Sequence, residues 1–114
     1  MSLFGKIMGR DGSDVDVKQA NNLVKSGEAM LLDVRSAEEF KEVRSPDAIL
    51  IPLPELDRRI QEVPDSQTIC VICHAGGRSA IAAGKLRAAG RSQVFNVTGG
   101  MAAWEKVGLP TAKG

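Results

Sequence analysis

The chain has 114 residues, 43% of them hydrophobic, which is enough for one compact domain with its own core and too little for two of ordinary size. Fifteen Lys and Arg against fourteen Asp and Glu leave a formal charge of +1, so there is no global field of the kind that draws in nucleic acid or acidic membranes. No segment approaches the ~20 apolar residues of a bilayer span, and Lys6, Arg10, Gly5 and Gly9 interrupt the N-terminus too often for a secretory leader.

Residues 1–13 are Gly-rich and read as a flexible extension, with the folded domain over 14–114. Asp16 can cap a first helix that carries Val17, Ala20, Leu23 and Val24 on one face and stops at Gly27. The apolar run 29–33, AMLLD, suits a buried parallel strand. Ser36 with Glu39 three residues on forms a capping box for a short helix. AILI at 48–51 predicts a short strand between prolines, and 54–63, PELDRRIQEV, predicts a helix with Pro54 at its start and Leu56 and Ile60 inward. A strand over Thr68 to Ile72 ends at Cys73, and the helix that follows is placed from Ser79 to about Ala89, with Ile81, Ala82 and Leu86 on one side. A last strand, QVFNV at 93–97, leads through Gly99 and Gly100 into a helix that turns Met101 and Trp104 inward. Short strands alternating with helices predict an α/β domain with a central, largely parallel sheet of about five strands and helices on both faces.

The chemistry concentrates after the strand that ends at Ile72. In open α/β sheets the reactive loop lies beyond the carboxyl ends of the strands, and here it holds Cys73, His74, Ala75, Gly76, Gly77 and Arg78 before the helix. Two glycines permit a tight concave curl with N–H groups pointing inward, the helix N-terminus adds partial positive charge, and Arg78 adds a full one. Each of these favours a thiolate over a thiol at Cys73, which makes it a nucleophile near neutral pH. Such chemistry requires the amides to face the sulfur and the sulfur to be reachable. Cys70, three residues earlier in a strand, lies roughly 10 Å from Cys73 between Cα atoms, beyond disulfide reach, and reads as a core residue. Two unbridged cysteines point to a reducing, cytoplasmic setting.

The run CHAGGRS at 73–79 resembles the active-site loop of rhodanese sulfurtransferases. LLDVRSAEEF at 31–40 resembles that family's early strand with its Asp-x-Arg motif, IPLPEL at 51–56 the segment after its next strand, and Gly99, Gly100, Met101 and Trp104 its C-terminal signature. The chain departs from the family pattern at 43–50, VRSPDAIL, and at Thr98. The resemblance implies a rhodanese-like fold and a two-step exchange. Cys73 would take a sulfane sulfur from an anionic donor such as thiosulfate, hold it as a persulfide, and pass it to a thiol, cyanide or a protein. It implies no cofactor and no metal, and neither nucleic acid nor a membrane as partner.

On this reading the amides and side chains of His74, Ala75, Gly76, Gly77, Arg78 and Ser79 bind the donor. Arg78 is assigned to the thiosulfate oxygens, with a structural pair to a carboxylate as the alternative. Ser79 is read as a helix cap that can donate to the sulfur, and the His74 side chain as pointing to solvent. Asp33 and Arg35 are read as a structural pair, and Met101 and Trp104 as core. The enzymatic rival is a cysteine-based phosphatase or arsenate reductase, whose loop is expected to be one residue longer than the four residues between Cys73 and Arg78. The rival of another class is a non-catalytic module that relays sulfur or binds a partner.

Overall fold

A computed structural model describes residues 13–114, so the extension expected at the N-terminus lies, except for Ser13, outside the described residues. Strand β1, Asp14–Val15, is followed by helix α1, Val17–Lys25. Asp16 caps α1 as its side chain accepts from the Gln19 N–H at 2.8 Å, and Gln19 reciprocates by accepting from the Asp16 N–H at 2.9 Å. Strand β2, Ala29–Asp33, leads to helix α2, Ala37–Glu42, where Ser36 and Glu39 form the second capping box. Next come β3, Ile49–Leu50, then β4, Thr68–Ile72, helix α3, Gly77–Ala88, strand β5, Val94–Val97, and helix α4, Gly100–Lys106.

The five strands form one sheet in the order β1-β5-β4-β2-β3, and every pairing is parallel. Alternation along the strands divides the core between the two faces. Leu31, Cys70, Ile72, Phe95 and Val97 pack with Val17, Ala20 and Leu23 of α1 and Met101 and Trp104 of α4. On the opposite face Leu32, Ile69, Val71 and Val94 pack with Ala82, Ala83 and Leu86 of α3. Cys70 and Cys73 are an odd number of residues apart, so they join opposite faces, and both thiols are free.

Three expectations need correction. The segment expected as an α-helix over 54–63 forms two 3₁₀ turns, Leu53–Glu55 and Asp57–Glu62. Pro52 and Pro54 lack amide donors at its start, and Arg59, at φ −115°, breaks the helical path, so only three-residue hydrogen bonds remain. Arg91 holds this segment from outside by donating to the carbonyls of Ile60 and Val63 at 3.0 and 2.6 Å. Helix α3 starts two residues earlier than Ser79, and Ile81 is 56% exposed; its buried face is Ser79, Ala82, Ala83 and Leu86. The strand expected at 48–51 is only Ile49–Leu50.

Candidate active site

Because all strands run the same way, the residues after β2, β3, β4 and β5 emerge on one edge of the sheet. Cys73 leaves β4 there and its loop is shaped from behind by α4. The N–H groups of Met101 and Ala102, among the unpaired donors of that helix's first turn, bond the carbonyl oxygens of Cys73 and His74 at 2.8 and 3.0 Å. With those carbonyls drawn toward α4, the following N–H groups turn to the concave side. Gly100 makes the approach possible: its φ is +55°, and a Cβ there would lie on the carbonyls of Cys73 and His74.

The loop closes at Gly76, φ +113°, which stands at the N-cap of α3 and offers no side-chain acceptor. The sulfur of Cys73 takes that place. The Gly76 N–H donates to Sγ at 3.1 Å, and the Ser79 hydroxyl lies 3.3 Å from it. Burial is the largest single influence on the Cys73 thiol and pushes its pKa up; the Ser79 hydroxyl and the N–H groups of Ser79, Gly76 and Ala75 together outweigh it, so the net shift is downward. Cys70 has no such donors, and burial alone pushes it up to about 12.

The amides thus face the sulfur as the proposed chemistry requires, but the sulfur is not open. Cys73 is 1% exposed, whereas His74, Ala75 and Gly77 around it are exposed. The access to the sulfur that this chemistry requires is missing in this arrangement.

Arg78 is held in a two-pronged pair with Glu39 of α2, at 2.7 and 2.8 Å. Donation by Arg78 is the chief reason that the Glu39 carboxyl titrates at about 2. Glu39 also caps α2, so one carboxylate serves both an N-terminus and the reactive loop. The sequence reading did not single it out as a site residue, and its distance of 39 positions from Arg78 explains why. Asn96 was missed in the same way: its Oδ1 accepts from the Ser79 hydroxyl at 2.6 Å. A polar residue on the α3 face of β5, where Val94 is the buried neighbour, was the available signal.

Asp33 and Arg35, 0% and 2% exposed, form a buried pair at 2.8 Å, and Arg35 also donates to the carbonyls of Glu39 and Val43. Beside them an open cavity of about 320 Å³ is lined by Arg35, Glu39, Glu42, Val43, His74 and Glu105. Among the described residues no cluster of His, Cys, Asp and Glu suits a metal ion, and no helix is long and apolar enough to cross a membrane.

The chain is 36% identical to "Thiosulfate sulfurtransferase 16, chloroplastic" of Arabidopsis thaliana, covering 87% of this chain and 92% of that protein. It is 35% identical to "Putative sulfur carrier protein YrkF" of Bacillus subtilis over 80% of its length, and spans half of that longer protein. The crystal structure of a rhodanese-related protein from Thermoplasma volcanium superposes with a TM-score of 0.81 at 26% identity, covering 88% of this chain and 97% of that one. These relatives support sulfur transfer in general. The model of the Rhodanese-like domain matches residues 16–107, and the chain belongs to that family.

Proposed function

We propose that this chain is a sulfurtransferase in which Cys73 carries a sulfane sulfur from thiosulfate or a related donor to a thiol, cyanide or protein acceptor. The observation that supports it is the set of donors on one sulfur: the Ser79 hydroxyl and the N–H groups of Ala75, Gly76 and Ser79, which together lower the thiol's pKa despite burial. The loop must first shift to open the buried Sγ to the donor; the thiolate then attacks the donor's outer sulfur, the donor's S–S bond breaks, and sulfite leaves with the electron pair. The acceptor thiolate then attacks the outer sulfur of the persulfide and returns Cys73 to its thiolate. Both forms are anions, and the loop's backbone N–H groups serve both. The cycle balances without a cofactor, and its free thiols suit a reducing compartment such as the cytoplasm.

His74, Ala75, Gly76, Gly77 and Ser79 supply the loop's donors in this reading. Arg78 contributes charge, with Glu39 already on its guanidinium. If Arg78 meets the thiosulfate oxygens, Arg78→Ala raises the apparent Michaelis constant for thiosulfate more than for a neutral persulfide donor; equal losses assign it to the loop's structure.

Incubation with thiosulfate followed by intact mass spectrometry tests the whole proposal. One added sulfur is expected, lost in Cys73→Ser and retained in Cys70→Ser. A gain that maps to Cys70, or hydrolysis of phosphate esters with no gain, overturns it.

A further inference from the structure

The Ser79 hydroxyl has one hydrogen and two neighbours that can accept it. Asn96 Oδ1 stands at 2.6 Å and Cys73 Sγ at 3.3 Å, and Ser79 itself is fully buried. The orientation of the Asn96 amide follows from its other end, since Nδ2 faces the carbonyl oxygen of Gly76 at 3.4 Å and the nitrogen is the group that can donate there. Oδ1 is therefore an acceptor for Ser79 and never a donor to it. With a single hydrogen on Ser79, the shorter bond takes it to Asn96, which leaves Cys73, while protonated, to donate its S–H to Ser79 Oγ.

From this competition we infer that Asn96 is a positioning residue of the reaction: it withholds the Ser79 hydrogen from the sulfur while Cys73 is protonated and releases it when Cys73 ionises. On ionisation the S–H proton leaves to a solvent base, and the Ser79 O–H rotates from Asn96 Oδ1 onto the thiolate. When a second sulfur is added, the negative charge moves to the outer atom, Sγ becomes a poor acceptor, and the hydrogen returns to Asn96. The inference rests on the sulfur-carrying role proposed for Cys73 only in this last step. Among the described residues the nearby charged groups have other partners: Arg78 is engaged by Glu39 and Arg35 by Asp33, while the exposed His74 gives its carbonyl to α4.

A competing acceptor and a supporting one have opposite signatures. Loss of Ser79 removes a donor to the thiolate, so Ser79→Ala raises the midpoint of Cys73 ionisation by about one pH unit. Loss of Asn96 removes the competitor, so Asn96→Ala lowers the midpoint by about half a unit. In Ser79→Ala/Asn96→Ala there is nothing left to compete for, and the midpoint stays at that of Ser79→Ala. Ultraviolet absorbance of the thiolate, followed against pH on the folded protein, reads all of these without a reagent having to reach the buried sulfur. Cys70 ionises far above this range. Asn96→Leu, of similar volume and with no acceptor, is expected to lower the midpoint as well, and keeps the test open if Asn96→Ala does not fold. An upward shift in Asn96→Ala or Asn96→Leu, matching Ser79→Ala, makes Asn96 a mere prop for Ser79 and overturns the inference; so does no shift at all. Ionisation is read here without any sulfur donor, so its failure is distinct from a failure of sulfur loading in the mass measurement above.

Discussion

At the scale of single residues, the reactive loop depends on glycines that are not in it. Gly100 stands at positive φ with two loop carbonyls where a Cβ would sit, so Gly100→Ala adds the left-handed penalty of ~1–2 kcal/mol and displaces the loop as well. Expected are a drop of roughly 2 kcal/mol or more in unfolding free energy and at least about a tenfold loss of sulfur loading, measured by denaturant titration and intact mass. Gly84, exposed inside α3 with open space at its Cβ position, provides the contrast. Gly84→Ala is expected to stabilise the fold by ~0.5–1 kcal/mol with loading unchanged. The cysteine loop itself was legible in the sequence, because its residues are consecutive and their types state their chemistry. Glu39 and Asn96 were not, because each meets the loop across the fold and neither has a local pattern that names its partner.

Among the elements, the sequence was most legible where hydrophobicity and caps agreed. The strands at Ala29–Asp33 and Thr68–Ile72, the Asp16 cap and the Ser36–Glu39 capping box stand where the apolar runs and cap signals place them, while Gln19's reciprocal bond to Asp16 was not read. Strand β1 was not legible: its two residues qualify only by pairing with Asn96 and Val97 of β5. The contact between α2 and α3 at Glu39 and Arg78 carries a pH dependence. Arg78 holds the folded Glu39 at about 2 against an ordinary 4.5, so its contribution is complete above about pH 4.5 and fades as the pH falls toward 2. Since Arg78 is 39% exposed, screening reduces this contribution to ~1 kcal/mol. Thermal unfolding of Glu39→Gln is expected to show a lower midpoint at pH 7 and a shallower decline than the parent chain between pH 4.5 and 2.

Over the whole molecule, one parallel sheet brings the Asp33–Arg35 pair, the cysteine loop and the start of α4 to the same edge. Arg35 ties the end of β2 to α2 through the Glu39 and Val43 carbonyls, and Arg35→Met strands the Asp33 carboxylate in the interior. A loss of ~3–5 kcal/mol in denaturant unfolding is expected, against less than ~1 kcal/mol for Lys25→Met, which breaks the exposed pair with Asp47. The grip of α4 on the loop carbonyls of Cys73 and His74 also has a bearing on synthesis. A ribosome delivers the nucleophile some thirty residues before the helix that bends its surroundings into shape. Until Met101 and Ala102 emerge, those two carbonyls have no helix end to turn toward, and the curl around the cysteine lacks the backing that the finished fold gives it.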